Sequence, residues 1–168
     1  MQVKVHLVVP QILTTQLQRP LSDVLGFAGK DIARNLKLDF QRTTRTWATR
    51  PEFDVRYSTT ADGVRIEGGT DDKVWNILDA GAPPHVILPK KPGGVLVFPW
   101  GGKGSYTAKT TPGVIGSGPG GPSGKLVFLR RVNHPGITPR NWIPDLAGKW
   151  SEEGRRRLES YLDRWSRA

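Results

Sequence analysis

The fold is decided by the stretch Phe53-Asp-Val-Arg-Tyr-Ser-Thr-Thr-Ala-Asp-Gly-Val-Arg-Ile-Glu67. On both sides of Asp62-Gly63, apolar residues alternate with polar ones, which is the period of a strand with one face in water. An Asp-Gly pair suits the positive φ angles that tight hairpin turns need. The stretch therefore predicts a β-hairpin with one solvated face.

A helix is predicted before this hairpin, over residues 20–37. Its apolar residues recur at spacings of three and four, and Pro20 suits a first helical turn. Gly26 and Gly29 each weaken a helix by about 1 kcal/mol relative to alanine. We expect them to permit close packing in return.

Two further helices are predicted after the hairpin. A short one is capped by Thr70 or Asp71 and ends at Gly81, which two prolines follow. The C-terminal one begins near Ser151 and carries an apolar stripe that reaches Trp165.

Three apolar runs between these helices, residues 86–88, 95–98 and 126–129, are predicted to be strands. We expect residues 99–124, which contain nine glycines and show no periodicity, to form an arm joining two core strands. Loops of this length are usually functional or disordered. Local pairing from Tyr106 could make this arm a hairpin extension.

These elements predict an α+β fold. It consists of a mostly antiparallel β-sheet packed against an N-terminal and a C-terminal helix, with a long Gly-rich loop at 99–124. The length suits a single domain over residues 1–168. The loop has little apolar surface to order itself. We expect it to be mobile in the isolated subunit and to become ordered over a neighbour on assembly.

The charge is unevenly distributed along the chain. Lys and Arg outnumber Asp and Glu by 25 to 15, a formal charge of +10, yet no acidic residue lies between Ala80 and Pro144. Such a field favours an acidic partner or nucleic acid, although a solvated surface is an equal alternative. The candidate contacts are Lys90, Lys91, Lys103, Lys109, Lys125, Arg130, Arg131 and Arg140.

No pattern in the chain indicates catalysis. The stretch from Gly118 to Lys125 resembles a phosphate-binding loop, but Pro119 replaces its first glycine and Leu126 replaces its Ser or Thr. The histidines lack zinc-motif spacing, and the absence of cysteine excludes disulfides and thiolate metal sites. We expect no enzymatic activity, no cofactor and no metal.

No apolar run is long enough to span a bilayer, and the N-terminus lacks a secretory pattern, so we expect a soluble, unprocessed chain with no membrane partner. Six tryptophans are present, and several should fill the core. Trp100 and Trp142 lie outside periodic segments. With Tyr106, they are candidate anchors for subunit contacts, where aromatic residues are enriched.

Two segments carry a family resemblance: Leu78-Asp-Ala-Gly-Ala-Pro-Pro-His-Val-Ile-Leu-Pro-Lys90 and Val132-Asn-His-Pro-Gly-Ile-Thr-Pro-Arg-Asn-Trp-Ile-Pro144. Together they resemble the neck or tail-completion proteins of long-tailed bacteriophages, the group that includes the lambda minor tail protein Z. The resemblance covers roughly residues 70–165, and the long glycine-rich loop departs from it. The motif residues are Gly81, Pro84, His85, Pro89, His134, Pro135 and Gly136.

The resemblance implies a structural virion protein without catalysis. It would form a homo-oligomeric ring, a hexamer by the symmetry of phage tails, between connector and tail-tube proteins and close to the genomic DNA in the channel. Its place would be the head–tail junction, after assembly in the host cytoplasm. Tail completion, tail terminator and connector ring all remain open.

Glycine and proline at the motif positions also have physical roles. Gly81 ends a helix, and Pro135-Gly136 suits a type II turn. We expect His85 and His134 to be structural, each bonding a backbone group from a proline-flanked turn. Two other functions remain as alternatives: a basic nucleic-acid-binding module without enzymatic activity, and a hydrolase whose site no motif marks.

Overall fold

The computed structural model describes residues 2–8, 21–61, 63–102, 106–108, 110–116 and 120–167, with residues 106, 107, 121 and 122 described by backbone alone. Its fold is α+β, as predicted. The helices of these residues are α1 (Leu21–Thr43), α2 (Lys73–Ala80) and α3 (Trp142–Ser166). The strands are β1 (Gln2–Val8), β2 (Asp54–Thr60), β3 (Gly63–Gly69), β4 (His85–Ile87), β5 (Leu96–Trp100), β6 (Tyr106–Thr107), β7 (Gly121–Pro122), β8 (Lys125–Leu129) and β9 (Val132–His134).

An antiparallel three-stranded sheet, in the order β1-β3-β2, lies at the centre of the described fold. Its β2–β3 hairpin confirms the prediction from residues 53–67. β1 is absent from the predicted elements, although it alternates with Val3, Val5 and Leu7 buried. Gly63 does not adopt the predicted positive φ. It lies in β3, where a Cβ would overlap the carbonyl oxygen of Leu7.

α1 packs on this sheet and is longer than predicted. Instead of ending at residue 37, it continues through Phe40 to Thr43, and both of these residues are fully buried. A Cβ on Gly29 would lie 2.5 Å from Cδ2 of Tyr57, so this glycine permits the close packing that we expected. Gly26 would meet no atom within 4 Å, and no packing reason for it is found.

α3 begins at Trp142, well before the predicted start near Ser151. Pro144 lies in its first turn, where the missing N–H would have no intrahelical acceptor, so the proline does not stop the helix. α3 packs against α1 and β1 and completes the core. No helix in the described part of the chain is long and apolar enough to cross a membrane.

Four aromatic side chains form the centre of the core. Phe40 stacks on Phe53 with ring centroids 5.2 Å apart, and Trp75 stacks on Trp142 at the same separation. Trp75 Nε1 also donates a hydrogen bond of 2.8 Å to Oγ1 of Thr43. These contacts join α1, α2 and α3 through one cluster.

A buried carboxylate joins α1 to α3. One oxygen of Asp39 lies 2.6 Å from the Arg42 guanidinium, and the other lies 2.5 Å from the Lys149 ammonium. Trp150 Nε1 donates to that second oxygen at 3.0 Å. The cluster links the two helices, since Asp39 lies in α1 and both Lys149 and Trp150 lie in α3.

The described residues between 82 and 137 separate α2 from α3 and form a β-ribbon outside the three-stranded sheet, and we call them the ribbon. Ala82 and Ile137 close its base with backbone hydrogen bonds of 2.9 and 2.8 Å. Along the chain, pairing continues in β4–β9, β5–β8 and β6–β7. All three predicted runs are therefore strands. They are not core strands, however, because they form two-stranded pairs that leave most side chains exposed.

Candidate functional site

The two motif segments lie next to each other at the base of the ribbon. β4 comes from the first segment and β9 from the second, and the two strands pair antiparallel with His85 opposite His134. The segments are distant in sequence, and the glycine-rich stretch lies between them. The fold therefore makes one structural unit of the two motifs.

Both histidines bond to backbone groups in this unit. Nδ1 of His85 lies 3.0 Å from the carbonyl oxygen of Pro83, and the N–H of Gly136 donates to Nδ1 of His134 at 3.0 Å. The two rings stack with centroids 4.8 Å apart. Each ring therefore holds a turn next to its own strand, which is a structural role.

The motif glycines lie where a side chain could not fit. Gly81 ends α2 with φ of 77°, and Gly136 follows β9 with φ of 92°, both in the left-handed region that favours glycine. A Cβ on Gly136 would lie 2.5 Å from the carbonyl oxygen of Ala82. Of the motif prolines, Pro84 and Pro135 are exposed and Pro89 is half-buried.

The β5–β8 pair exposes apolar side chains on both of its faces. Phe128 is 65% exposed and Leu126 is 61% exposed, and they share one face with Val97 and Pro99, which lie opposite them. The other face carries Leu96, Phe98, Trp100, Val127 and Leu129. A strand pair that is apolar on both faces is typical of a buried position. Among the described residues, Leu96, Phe98, Pro99 and Val127 of these faces are half-buried, and the other apolar side chains of the pair are exposed.

Exposed cations surround this apolar surface. Lys90 and Lys91 lie in the connection from β4 to β5, and Arg130 and Arg131 lie in the connection from β8 to β9. The pairing of these strands places both connections at the same level of the ribbon. Lys125 is exposed as well, whereas Lys103 and Lys109 lie outside the described residues.

Arg140 is not available to DNA or to an acidic partner, contrary to our expectation. It is only 7% exposed, and its Nε donates to Oγ1 of Thr110 at 2.8 Å. Its NH1 donates to the carbonyl oxygen of Thr138 at 2.7 Å. The guanidinium is therefore engaged in hydrogen bonds within its own chain.

Trp142 is not a subunit anchor, because it is fully buried in the core against Trp75. The bordering proline and glycine residues suggested a loop, but this tryptophan starts α3. Trp100 is exposed and stays a candidate anchor, with Phe98 edge-on beside it at 6.4 Å. The side chain of Tyr106 lies outside the described part of the molecule.

The centre of the glycine-rich stretch is fastened to its own subunit. Thr110 is buried and accepts the bond from Arg140, and the N–H of Gly113 reaches the carbonyl oxygen of Arg140 at 3.4 Å. Trp142 Nε1 donates to the carbonyl oxygen of Val114 at 3.2 Å. Residues 110–116 therefore fold back to the base of the ribbon. We expected the loop to reach over a neighbour, but residues 110–116 contact their own subunit instead.

Asp79 is a structural residue that no sequence motif indicates. Asn141 precedes α3 with φ of 58° and makes no side-chain cap, and Asp79 takes over this role by accepting from the N–H of Ile143 at 3.2 Å. Burial raises the pKa of the Asp79 carboxyl, and the backbone N–H groups of Ile143 and Trp142 oppose that shift. Its position one turn before the proline pair gave no signal of this long-range contact.

A cleft of about 610 Å³ lies beside the base of the ribbon. Trp47, Val74, Leu78 and Ile137 contribute apolar surface to it, and its titratable side chains are His134 and Arg140. Both of these are already held by the hydrogen bonds described above. The described residues contain no group of three or more metal-ligating side chains.

Comparison with known proteins found no matching family model, no similar curated protein and no similar solved structure.

Proposed function

We propose that this chain is a structural virion protein of the bacteriophage head–tail junction. It would form a homo-oligomeric ring of sixfold symmetry that joins the head connector to the tail and surrounds the DNA channel. Its partners would be further copies of itself and the adjoining connector and tail-tube proteins. In this role the chain needs neither a catalytic residue nor a cofactor.

The observation that carries the proposal is the pairing of the two motif segments. A chance resemblance in two separate stretches would have no reason to produce one structure. Here, both segments pair strand to strand, and each contributes a histidine to the same stacked pair. This supports treating them as one inherited unit, as the resemblance to neck and tail-completion proteins implies.

The ribbon supports a role in assembly. Monomeric proteins rarely expose large contiguous apolar patches, and such patches mark interaction surfaces. An isolated two-stranded hairpin is also marginally stable in water. The β5–β8 pair exposes apolar side chains on both faces, so a neighbouring protein would complete it.

A stop codon early in the gene of a phage that encodes the chain tests this function. We expect DNA-filled heads and tails that do not join, seen by electron microscopy. Purified chain added to the extract should restore joined, infectious particles. Normal particles from the mutant would overturn the proposal.

Symmetry of the neck provides a second test. Averaged images of particles carrying a tagged chain should place the tag at the head–tail junction, in sixfold arrangement. A single copy per particle, or a tag at the tail tip, would contradict the proposed ring.

A nucleic-acid-binding module is the second candidate, and the four exposed cations at Lys90, Lys91, Arg130 and Arg131 favour it. It predicts tight binding of DNA by the isolated monomer, with an affinity that falls steeply as salt increases. The proposed ring protein should bind DNA weakly and without sequence preference. Titration of labelled duplex at two salt concentrations separates these outcomes.

A further inference from the structure

The charges of the chain are divided between two regions of the fold. All acidic residues lie outside residues 80–144, whereas the ribbon carries exposed cations at Lys90, Lys91, Lys125, Arg130 and Arg131. The ribbon also exposes Val97, Leu126 and Phe128 along one face. A complementary surface would therefore be acidic and would also offer apolar side chains.

The three-stranded sheet with α1, α2 and α3, which we call the body, has such a surface. An open groove of about 1420 Å³ is lined by five carboxylates and three cations among the described residues. The carboxylates are those of Glu52, Asp54, Glu67, Asp71 and Asp72. Asp54 and Glu67 form ion pairs with Arg56 and Lys4, and Asp72 caps α2, so Glu52 and Asp71 are the carboxylates that a second copy would meet. Asp71 and Asp72 lead directly into α2, whose outward side exposes Val74 at 58% and Ile77 at 47%. We call the groove carboxylates with Val74 and Ile77 the acceptor face.

We infer that the ribbon of one subunit docks on the acceptor face of a second copy of this chain. The cations of the ribbon would meet Glu52 and Asp71, and Phe128 with Leu126 would cover Val74 and Ile77. Within one subunit Val74 and Ile77 remain 58% and 47% exposed even though Val74 lines the cleft beside the base of the ribbon, so a second copy would have to cover them.

This contact joins two different surfaces, so it is heterologous. Repeated from copy to copy, a heterologous contact produces a ring when the rotation closes. The inference rests on the proposed function for the ring, and it identifies the subunit interface of that ring. Self-association through these surfaces can nevertheless be measured on the purified chain without any phage.

Cysteine cross-linking tests the contact directly, because the chain has no cysteine of its own. One variant carries Phe128→Cys and the other carries Val74→Cys, both at exposed positions. Under mild oxidation, a mixture of the two should give a disulfide-linked dimer, whereas either variant alone should remain uncrosslinked. Cross-linking of each variant with itself at the same rate as the mixture would overturn the heterologous contact.

Charge reversal tests the electrostatic part. A ribbon-reversed chain carries Lys90→Glu and Lys91→Glu, and an acceptor-reversed chain carries Glu52→Lys and Asp71→Lys. Each alone should weaken self-association by about tenfold or more, because like charges would then face each other. Mixed together, the two variants should regain association, since every reversed surface meets a complementary one. Lys30→Glu with Arg34→Glu, on the exposed side of α1, is the matched control and should leave association unchanged.

Sedimentation measurements give three outcomes that count against the inference. These are a wild-type chain that stays monomeric up to its solubility limit, unaltered association of both reversed chains, and no recovery in the mixture. Loss of DNA binding in the ribbon-reversed chain with normal self-association would assign the ribbon to nucleic acid instead. Association through these surfaces in a protein absent from phage necks would refute the proposed function and leave the interface standing.

Discussion

The three-stranded sheet and the ribbon are built from the same kind of strand pairing, yet they use it differently. In the sheet, β1 buries Val3, Val5 and Leu7 and turns polar residues to water. In the ribbon, the β5–β8 pair carries apolar residues on both faces, and Val97, Leu126 and Phe128 on one of them are at least half exposed. The sheet thus buries one of its faces within the subunit, whereas the β5–β8 pair leaves apolar side chains exposed to solvent. Substitutions in the two regions should accordingly affect different measurements.

The largest effect on stability should come from the core. Trp142→Ala removes a fully buried indole that stacks on Trp75, and it should lower the free energy of unfolding by about 3–5 kcal/mol. Trp100→Ala, in the ribbon, should lower it by less than about 1 kcal/mol. Urea denaturation followed by circular dichroism measures both. Equal losses would erase the distinction between the two regions.

The second-largest effect on stability should come from the contacts that hold residues 110–116 to the base of the ribbon. Arg140→Ala leaves Thr110 and the carbonyl of Thr138 without their donor, and it should lower the unfolding free energy by about 1–3 kcal/mol. Hydrogen exchange should at the same time accelerate at Gly113, whose N–H reaches the Arg140 carbonyl. Thr110→Val is the matched control, because it removes only the acceptor. Unchanged exchange at Gly113 in the Arg140 variant would show that residues 110–116 are held by other contacts.

Asp79 connects α2 to the start of α3, and its contribution to stability should depend on pH. Asp79→Ala removes the remote cap of α3 and should lower the unfolding free energy by about 1–2 kcal/mol. Because the folded-state pKa of Asp79 lies above that of the unfolded chain, the folded state holds this proton more tightly. The contribution of Asp79 to stability therefore falls as pH rises from below the ordinary Asp pKa through the raised folded value.

Asp79→Asn keeps an acceptor for the N–H of Ile143 but does not titrate. The unfolding free energy of the wild type minus that of this variant should thus decline with rising pH across that window. Asp23→Asn, at an exposed position in the first turn of α1, is the control. A difference that increases with pH would mean that hydrogen bonding, rather than burial, controls the carboxyl group.

The stacked histidines should have a smaller effect. His85→Gln or His134→Gln removes a ring from the stack and disturbs one backbone contact, so each should cost about 0.5–1.5 kcal/mol and should impair assembly. Elemental analysis of the purified wild-type chain should find no stoichiometric zinc. One zinc per chain would overturn the structural interpretation of this pair.

The smallest effect on stability should come from the cations of the ribbon. Alanine at Lys90, Lys91, Arg130 and Arg131 together should cost little unfolding free energy, since exposed charges each contribute under about 1 kcal/mol. The same variant should reduce the yield of infectious particles strongly. A normal yield of infectious particles would show that these four cations are solvated surface residues without a role in assembly.

The regular patterns of the sequence predicted the body well. The β2–β3 hairpin and the capped end of α2 at Gly81 follow from local chemistry, so they appear where the residues indicate. β1 was detectable from its alternation of Val3, Val5 and Leu7. α3 was placed too late because Ser151 suggested a helix start, whereas the helix begins at Trp142 and tolerates Pro144 in its first turn.

The site was harder to predict because its contacts are distant in sequence. Arg140 and Trp142 were interpreted from their neighbours, but their surroundings are set by Thr110, Val114 and Trp75. No local period encodes such contacts. By contrast, the turns around His85 and His134 combine local proline and glycine chemistry, and their backbone bonds were accessible to sequence reasoning.

The backbone bridge between Ala82 and Ile137 has a consequence for how this molecule can change over evolution. It brings the two ends of the ribbon within hydrogen-bonding distance. With respect to the body, the ribbon is therefore a single loop whose ends are already closed. The entropy of closing a loop grows only slowly with its length. Insertions and deletions within the ribbon therefore cost the body little, provided that the fastening to Arg140 and Trp142 is kept. Related chains could therefore bind different neighbouring proteins by changing the length and sequence of the ribbon, while the sheet and the helices stay the same.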